Sequence, residues 1–244
     1  MNSNTLLVLA GGFGTRLRSA VPDLPKPLAP IAGTPFLAWL LAHWVSTGIR
    51  DLVFLLYHQA DQIIEYLHSL DDTLLHGCSY RTLVEPEPLG TGGALSHAVR
   101  ELRLSNAFLV ANADTWLGFD LSDLVSHNQE CVMGSPWIVV VPVPDTSRYG
   151  AVDFDGAGCI TRFAEKQNSA GPGWINAGLY RLHPQQFLGW DGTPYSLEQQ
   201  LFPCLVASRR LRAVPLHTSF IDIGIPEDYR RFSSWIEAGR THPL

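Results

Sequence analysis

Apolar positions along the first two thirds of the chain alternate between unbroken short runs and helical spacing. Residues 5–10, with an apolar run over 6–10, predict a buried strand. A polar Gly- and Pro-rich loop over 11–33 follows. Thr34-Pro35 then reads as an N-cap with proline at the first helical position. Phe36, Leu37, Leu40, Leu41 and Trp44 share one helical face, and Gly48 supplies the stop. Further on, 52–56 reads as a second strand, 59–67 as a helix with Ile63, Ile64 and Leu67 inward, and 80–84 as a third strand. A helix over about 92–102, a fourth strand over 107–111 ending at Asp114, and a short helix over 120–128 capped by Asp120 complete this stretch. Strand and helix in alternation predict an α/β fold with a mostly parallel sheet. Such sheets bind ligands beyond the carboxyl ends of their strands. The loops after the first, third and fourth strands are therefore the places for chemistry.

Beyond Pro136 the pattern becomes richer in β. Residues 137–143 read as a strand, and 151–154 with 159–164 as a hairpin turning at Asp155-Gly156. A strand over 174–182 follows. Ser196-x-x-Gln199 is a capping box opening a helix to about Val206. A late strand over 211–216 precedes a closing helix over 226–238, with Pro226 at its start and Gly239 past its end. No linker, repeat or low-complexity tract interrupts the chain, so 1–244 reads as a single domain with halves 1–130 and 131–244.

Composition narrows the classes. With 46% apolar and 16% charged residues in 244, the chain can bury a core without disulfides or metal, which excludes a disordered protein. A net charge of −6 argues against a nucleic-acid partner held by phosphate contacts. The four cysteines, Cys78, Cys131, Cys159 and Cys204, form no CxxC spacing and read as reduced thiols of a cytoplasmic protein. The apolar run 6–10 ends at Gly11-Gly12, too short for a signal-peptide core, and no apolar stretch is long enough to span a membrane. The nine histidines form no HExxH spacing. Of the 17 basic residues only two are lysine, Lys26 and Lys166. The two cations are not interchangeable, so the positions that keep lysine are informative.

The first strand runs directly into Gly11-Gly12-Phe13-Gly14-Thr15-Arg16-Leu17. Glycines let successive backbone N–H groups turn inward around phosphate oxygens, and Arg16 adds a bidentate cation. Pro25-Lys26-Pro27 then stiffens the backbone around one ammonium. The loop is not a Walker loop, whose lysine follows a glycine. It is not the dinucleotide fingerprint, because Leu17 stands where the third glycine belongs.

The strand, the GGxGTRL loop and the PKP segment together resemble the signature of sugar-1-phosphate nucleotidyltransferases. The resemblance continues at Glu85-Pro-Glu-Pro-Leu-Gly90-Thr91-Gly92-Gly93, Asn112-Ala113-Asp114, Tyr149-Gly150, Glu165-Lys166, Asn176-Ala177-Gly178 and Phe220-Ile221-Asp222-Ile223-Gly224. Within that family the chain looks most like bacterial D-glycero-α-D-manno-heptose 1-phosphate guanylyltransferases, which share the PLGTGGA loop and a closing DIGxPEDY segment. The resemblance implies a Rossmann-like, GT-A-type three-layer sandwich around a mostly parallel mixed sheet. It implies a nucleotide-binding half over 1–130 and a sugar-phosphate-binding half over 131–244. The partners it implies are a nucleoside triphosphate and a sugar 1-phosphate, joined with release of pyrophosphate.

The same resemblance assigns roles. Leu9, Ala10, Gly11, Gly12, Gly14, Thr15, Arg16, Lys26, Glu85, Gly90, Thr91, Asn112 and Asp114 would line the nucleotide. Asp114 and Asp222 would hold one Mg²⁺, completed by phosphate oxygens and water. Lys166 would take the phosphate of the sugar substrate, and Glu165, Gly150 and Asn176 its hydroxyls. Glu85 and Gly90 would face the base. A carboxylate can accept both N1–H and the 2-amino group of guanine, which favours GTP, although similar loops serve relatives that use UTP or dTTP. Ala113, where the family often carries glycine, is a departure that bears on fine geometry near the nucleotide.

Other readings compete. The sugar could be heptose, mannose or N-acetylmuramate 1-phosphate, giving a mannose-1-phosphate guanylyltransferase or a hexose or N-acetylmuramate uridylyltransferase. A non-catalytic nucleotide-sugar sensor would be free to lose Arg16, Lys26, Asp114, Lys166 or Asp222, and all are present. A metal-dependent glycosyltransferase would use a DxD motif. Asp153-Phe154-Asp155 matches that string but reads better as the start of a hairpin turn. The chain ends six residues past Ala238, so no C-terminal acyltransferase β-helix is expected. The apolar, Trp-bearing segments suit a core or a homodimer interface.

Overall fold

Parallel strands must be covered on both faces, and the fully apolar runs of this sequence become such strands. The computed structural model describes residues 5–120, 124, 135–163 and 171–239. In chain order it contains β1 (Leu6–Leu9), β2 (Pro30–Ile31), β3 (Thr34–Pro35), α1 (Phe36–Ser46), β4 (Asp51–Leu56), α2 (Ala60–His68), β5 (Ser79–Val84), α3 (Gly90–Glu101) and β6 (Phe108–Asn112). There follow β7 (Thr115–Leu117), β8 (Trp137–Val143), β9 (Val152–Phe154), β10 (Ile160–Phe163), β11 (Gly173–Leu182), α4 (Phe202–Ala207), β12 (Arg212–Pro215), β13 (Phe220–Asp222) and α5 (Pro226–Glu237). Seven of the strands form a mixed sheet. The chain divides into two compact units that interleave along the sequence, 2–88 with 111–119 and 219–244, and 89–110 with 120–218.

In the first unit the strand order is β6-β1-β4-β5. β1 and β4 run parallel with Leu6 opposite Leu52, and β4 and β5 run parallel with Asp51 opposite Ser79. Leu6, Leu7, Val8 and residues 52–56 are buried, as strands covered on both faces require. β5 lies at the sheet edge, and its side chains are only partly covered. α1 buries Phe36, Leu37, Leu40, Leu41 and Trp44, and the Phe36 ring meets Phe232 of α5 edge-on at 5.3 Å. α2 buries Ile63 and Leu67, while Ile64 is only half-buried.

One expectation fails here. Thr34 does not cap α1 and Pro35 is not its first helical residue. Pro35 has φ −55° and ψ 140°, and Thr34-Pro35 forms β3, paired antiparallel with β2. The two residues between these strands, Ala32 and Gly33, have φ of 47° and 81°, the positive values that a tight two-residue hairpin demands. The hairpin takes Thr34 away from the helix, which starts at Phe36.

In the second unit the order is β12-β8-β11-β6. β8 runs parallel to β12 and antiparallel to β11, with a register shift between Asn176 and Tyr180. β9 and β10 form the expected hairpin. Asp155 Oδ1 accepts from the N–H groups of Ala157 and Cys159 at 3.0 and 2.9 Å, and its Oδ2 accepts from Arg209 at 2.8 Å. These bonds hold its carboxyl below the usual range, the Cys159 N–H foremost. Asp155 is thus committed to the turn rather than to a DxD metal motif.

Ser196 Oγ accepts from Gln199 N at 3.3 Å as expected, but the reciprocal bond is donated by Ser196 N to Gln200 Oε1, at 2.9 Å. The first turn, Leu197–Leu201, is a wide π turn, which shifts the partner by one residue before α4 begins. Most of the helix expected over 120–128 lies outside the described residues; Leu124 is buried and its N–H donates to Asp120 O at 3.3 Å. Among the described residues no helix is long and apolar enough to cross a membrane.

Candidate active site

The carboxyl ends of four strands of the first unit are joined by backbone hydrogen bonds. Ala10 N donates to Leu55 O at 3.0 Å, Ala113 N to Leu9 O at 3.0 Å, Glu85 N to Leu56 O at 2.8 Å, and His58 N to Gly11 O at 3.4 Å. These bonds bring Leu9, Ala10, Gly11, Glu85, Asn112 and Asp114 to one edge of the sheet, where a ligand of an open α/β sheet belongs.

Two glycines of the loop sit where a side chain would be crowded. A Cβ on Gly11 would stand 3.1 Å from Glu85 Oε1 and 3.2 Å from Tyr57 Cβ. Gly14 has φ +64°, and a Cβ there would stand 3.0 Å from Lys26 Cγ. Gly12, Thr15 and Arg16 are exposed, so the loop presents them to solvent. Phe13 is exposed as well, with its ring edge-on to Tyr57 at 5.7 Å and 5.4 Å from His58. Sequence reasoning missed Tyr57 and His58, because no local pattern marks the end of β4 as part of the loop's support.

Lys26 sits on a 3-10 turn closed by Leu28 N to Pro25 O at 2.8 Å and Ala29 N to Lys26 O at 3.0 Å. Its Nζ donates to Asp114 Oδ2 at 2.9 Å, the two side chains being only 14% and 30% exposed. Asp222 ends β13, directly opposite Thr115 of β7, and Ile223 N donates to Asp114 O at 2.9 Å. This pairing brings two aspartates 108 positions apart in sequence to one place. Asp222 Oδ1 accepts from Gly224 N at 2.6 Å. Burial, and then the charge of Asp114, push the Asp222 carboxyl up to about 6, against the pull of Lys26, the Gly224 N–H and Arg16.

Two carboxylates that repel each other favour a cation between them. Their oxygens are hard donors that suit Mg²⁺, which keeps several water or phosphate ligands. Among the described residues no third His, Cys, Asp or Glu joins them, as a closed transition-metal site would need. The residues therefore fit Mg²⁺.

In the second unit, Gly90 has φ +72°, and a Cβ there would stand 2.6 Å from Tyr195 O. That carbonyl accepts from Gly92 N at 2.9 Å and Gly93 N at 3.3 Å, while Tyr195 N donates to Leu89 O at 2.9 Å. Thr91 Oγ1 donates to Glu198 Oε2 at 3.0 Å and accepts from Leu197 N at 2.9 Å. The Gly90–Gly93 segment is thus held by Tyr195, Leu197 and Glu198, residues the sequence reading did not single out. Asn176 Oδ1 accepts from Gly178 N and its Nδ2 donates to Tyr180 OH, both at 3.0 Å, within the β11 irregularity. Gly150 precedes Ala151, which bridges to Ile175. Glu165 and Lys166 lie outside the described residues.

Comparison with known proteins gives the family. Residues 5–238 match the Nucleotidyl transferase family model. The D-glycero-alpha-D-manno-heptose 1-phosphate guanylyltransferase of Campylobacter jejuni is 32% identical over 227 residues, 93% of this chain and 97% of that protein. The mannose-1-phosphate guanylyltransferase catalytic subunit beta of Drosophila pseudoobscura pseudoobscura is 35% identical over 230 residues, 93% of this chain. The chain spans 61% of that relative's length. The crystal structure of HddC from Yersinia pseudotuberculosis superposes with a TM-score of 0.82 at 33% identity, covering 95% of this chain and 99% of that one. A second HddC structure, complexed with GMP-PN, superposes at 0.80. The expected GT-A-type, Rossmann-like fold is the fold of these proteins. The chain belongs to the nucleotidyl transferase family.

Proposed function

We propose that the protein joins GTP to D-glycero-α-D-manno-heptose 1-phosphate and releases pyrophosphate. The observation that carries this reading is the Lys26–Asp114 pair with Asp222 beside it, at the strand ends that follow a GGxGTR loop. The loop PLGTGGA, the DIGxPEDY segment and the Campylobacter relative support the heptose. Mannose 1-phosphate is the second reading, supported by the insect relative.

The reaction needs no general base. A phosphate monoester is mostly dianionic near neutral pH, its second pKa being about 6. A phosphate oxygen of the sugar substrate attacks the α-phosphorus of the triphosphate in line. The bond from that phosphorus to the bridging oxygen breaks, and its electron pair leaves with pyrophosphate. Catalysis is positioning and charge neutralisation. Arg16 and Lys26 would neutralise the triphosphate over the glycine loop. Lys166 would hold the attacking phosphate, and Glu165, Gly150 and Asn176 the sugar. The Asn176 amide keeps one N–H and one lone pair beyond the bonds it makes to Tyr180 and Gly178. Glu85 and Gly90 would face guanine. The Thr91 hydroxyl is already committed to Glu198 and Leu197, so a nucleotide contact at Thr91 falls to its backbone. Asp114 and Asp222 would hold Mg²⁺, which would supply positive charge to offset the repulsion of the reacting phosphate groups. We place the reaction in the cytoplasm, where Cys78, Cys159 and Cys204 would stay thiols.

The test is a matrix of GTP, ATP, UTP, CTP and dTTP against heptose, mannose, glucose and N-acetylmuramate 1-phosphates, read by pyrophosphate release with Mg²⁺. Turnover should be highest with GTP and the heptose. Pyrophosphate from no pair, or release of nucleoside diphosphate from a nucleotide sugar, would overturn the reading.

A further inference from the structure

We infer that the Lys26 ammonium is the resident cation of the metal-free site, and that a divalent cation must displace it from Asp114 to bind. This inference rests on the reading of Asp114 and Asp222 as the metal carboxylates. Lys26 Nζ lies 2.9 Å from Asp114 Oδ2. It also lies 3.3 Å from the point where a Cβ on Gly224 would stand, and Asp222 Oδ1 lies 2.7 Å from that same point. The ammonium therefore pairs with Asp114 and borders the same open space beside Gly224 that Asp222 Oδ1 borders, a space kept open because residue 224 has no side chain.

The lysine stem fixes where the ammonium can go. Lys26 Cγ, Cε and Cδ pass 3.0, 3.7 and 3.8 Å from the missing Cβ of Gly14. One side chain thus runs from the phosphate loop to the carboxylates, on a turn set between two prolines. The ammonium has two anionic destinations within reach of the same stem, Asp114 and a phosphate chain lying on the loop. Without nucleotide it neutralises Asp114. Once a triphosphate occupies the loop, the ammonium has a new partner and the Asp114 oxygen is released. Two cations at one carboxylate oxygen repel each other, so metal binding and triphosphate binding are coupled through Lys26. A metal arriving alone meets a site whose charge is already partly cancelled.

The inference is tested by titrating nucleotide-free protein with Mn²⁺ and counting free Mn²⁺ by electron paramagnetic resonance. Wild type, Lys26→Met, Lys26→Gln and Asp114→Asn are compared. The Lys26→Met protein should bind Mn²⁺ about tenfold or more tightly than wild type. Its melting temperature should be lower than wild type without Mn²⁺ and should rise more on adding it. If Lys26→Met does not fold, Lys26→Gln, which keeps a donor toward Asp114, carries the same comparison. Equal or weaker binding by the Lys26 variants, with binding still lost in Asp114→Asn, overturns the resident cation and leaves the ligand reading standing. Failure of wild type and every variant to bind Mn²⁺, with or without GTP, overturns both.

Discussion

Gly92→Ala should destabilise the protein although alanine is the better helix former. Gly92 is a buried residue of α3, where replacing glycine by alanine ordinarily gains about 1 kcal/mol. Here a Cβ would stand 2.2 Å from Tyr195 Cε2, 2.5 Å from Cδ2 and 2.6 Å from Cζ. Carbon atoms in contact sit at roughly 3.5–4 Å, so the methyl and the ring cannot both keep their places. The ring is tied at its far end, where Tyr195 OH and Ser96 Oγ are 2.8 Å apart. Its own carbonyl holds the Gly92 N–H at 2.9 Å. Moving the ring gives up about 1 kcal/mol for the hydroxyl bond, and overpacking adds roughly 1–3 kcal/mol. After the helix gain is subtracted, the net loss is about 2 kcal/mol, or roughly 4–8 °C in melting temperature for a chain of this size. Differential scanning calorimetry of the single variant and of a Gly92→Ala, Tyr195→Ala pair measures this. With the ring removed, the alanine should be neutral or stabilising. If Gly92→Ala has the same effect in both backgrounds, the ring does not explain the glycine.

Three further outcomes follow from the site and the fold. Lys26→Arg and Lys166→Arg should each lower kcat/KM at least about tenfold despite conserving charge, because a planar guanidinium is wider than an ammonium and the Lys26 stem already passes 3.0 Å from the missing Gly14 Cβ; near-normal kinetics in both would remove the meaning of the two lysines. The Asp222 carboxyl is pushed up to about 6 in the folded protein, so the protonated form is the one folding favours. Metal-free stability should therefore be greatest below about pH 4 as far as this group is concerned and fall by on the order of 2 kcal/mol as pH rises to 6. Asp222→Asn should flatten that slope in urea melts at pH 4, 5, 6 and 7 while losing turnover; an unchanged slope would refute it. Asp155→Ala should lower the melting temperature, because three hydrogen bonds to its carboxylate go, yet leave metal-dependent turnover intact; loss of metal dependence would revive the DxD reading.

Sequence patterning located the elements marked by an unbroken apolar run or by proline and glycine at their ends. The strand expected over 137–143 forms at those residues, since a strand between two neighbours needs every side chain apolar. The closing helix likewise starts at Pro226, and Gly239 takes φ +69° beyond its end. Patterning failed where backbone geometry outweighed composition. Thr34-Pro35 has the residues of a helix start, but Ala32-Gly33 folds it into a hairpin instead.

The glycine loop was legible in the residues themselves, the two carboxylates only through the family resemblance. The loop is contiguous, so glycines, arginine and prolines report it directly. Asp114 and Asp222 meet only because β13 pairs with β7, and spacing alone gives no hint of that. The support of Gly90–Gly93 was invisible for the same reason, its ties running from Thr91 to Glu198 across 107 positions. Those ties also change what the motif means. A Gly-Thr-Gly-Gly run opening a helix looks like a second phosphate cradle. Yet the Tyr195 carbonyl already takes the Gly92 and Gly93 N–H groups, and Glu198 and Leu197 take the threonine hydroxyl. Its glycines therefore answer first to the close approach of Tyr195. The glycines of the first loop leave Gly12, Thr15 and Arg16 exposed. Two similar strings thus do different physical work, one making room for another part of the chain and the other leaving backbone and charge exposed to solvent.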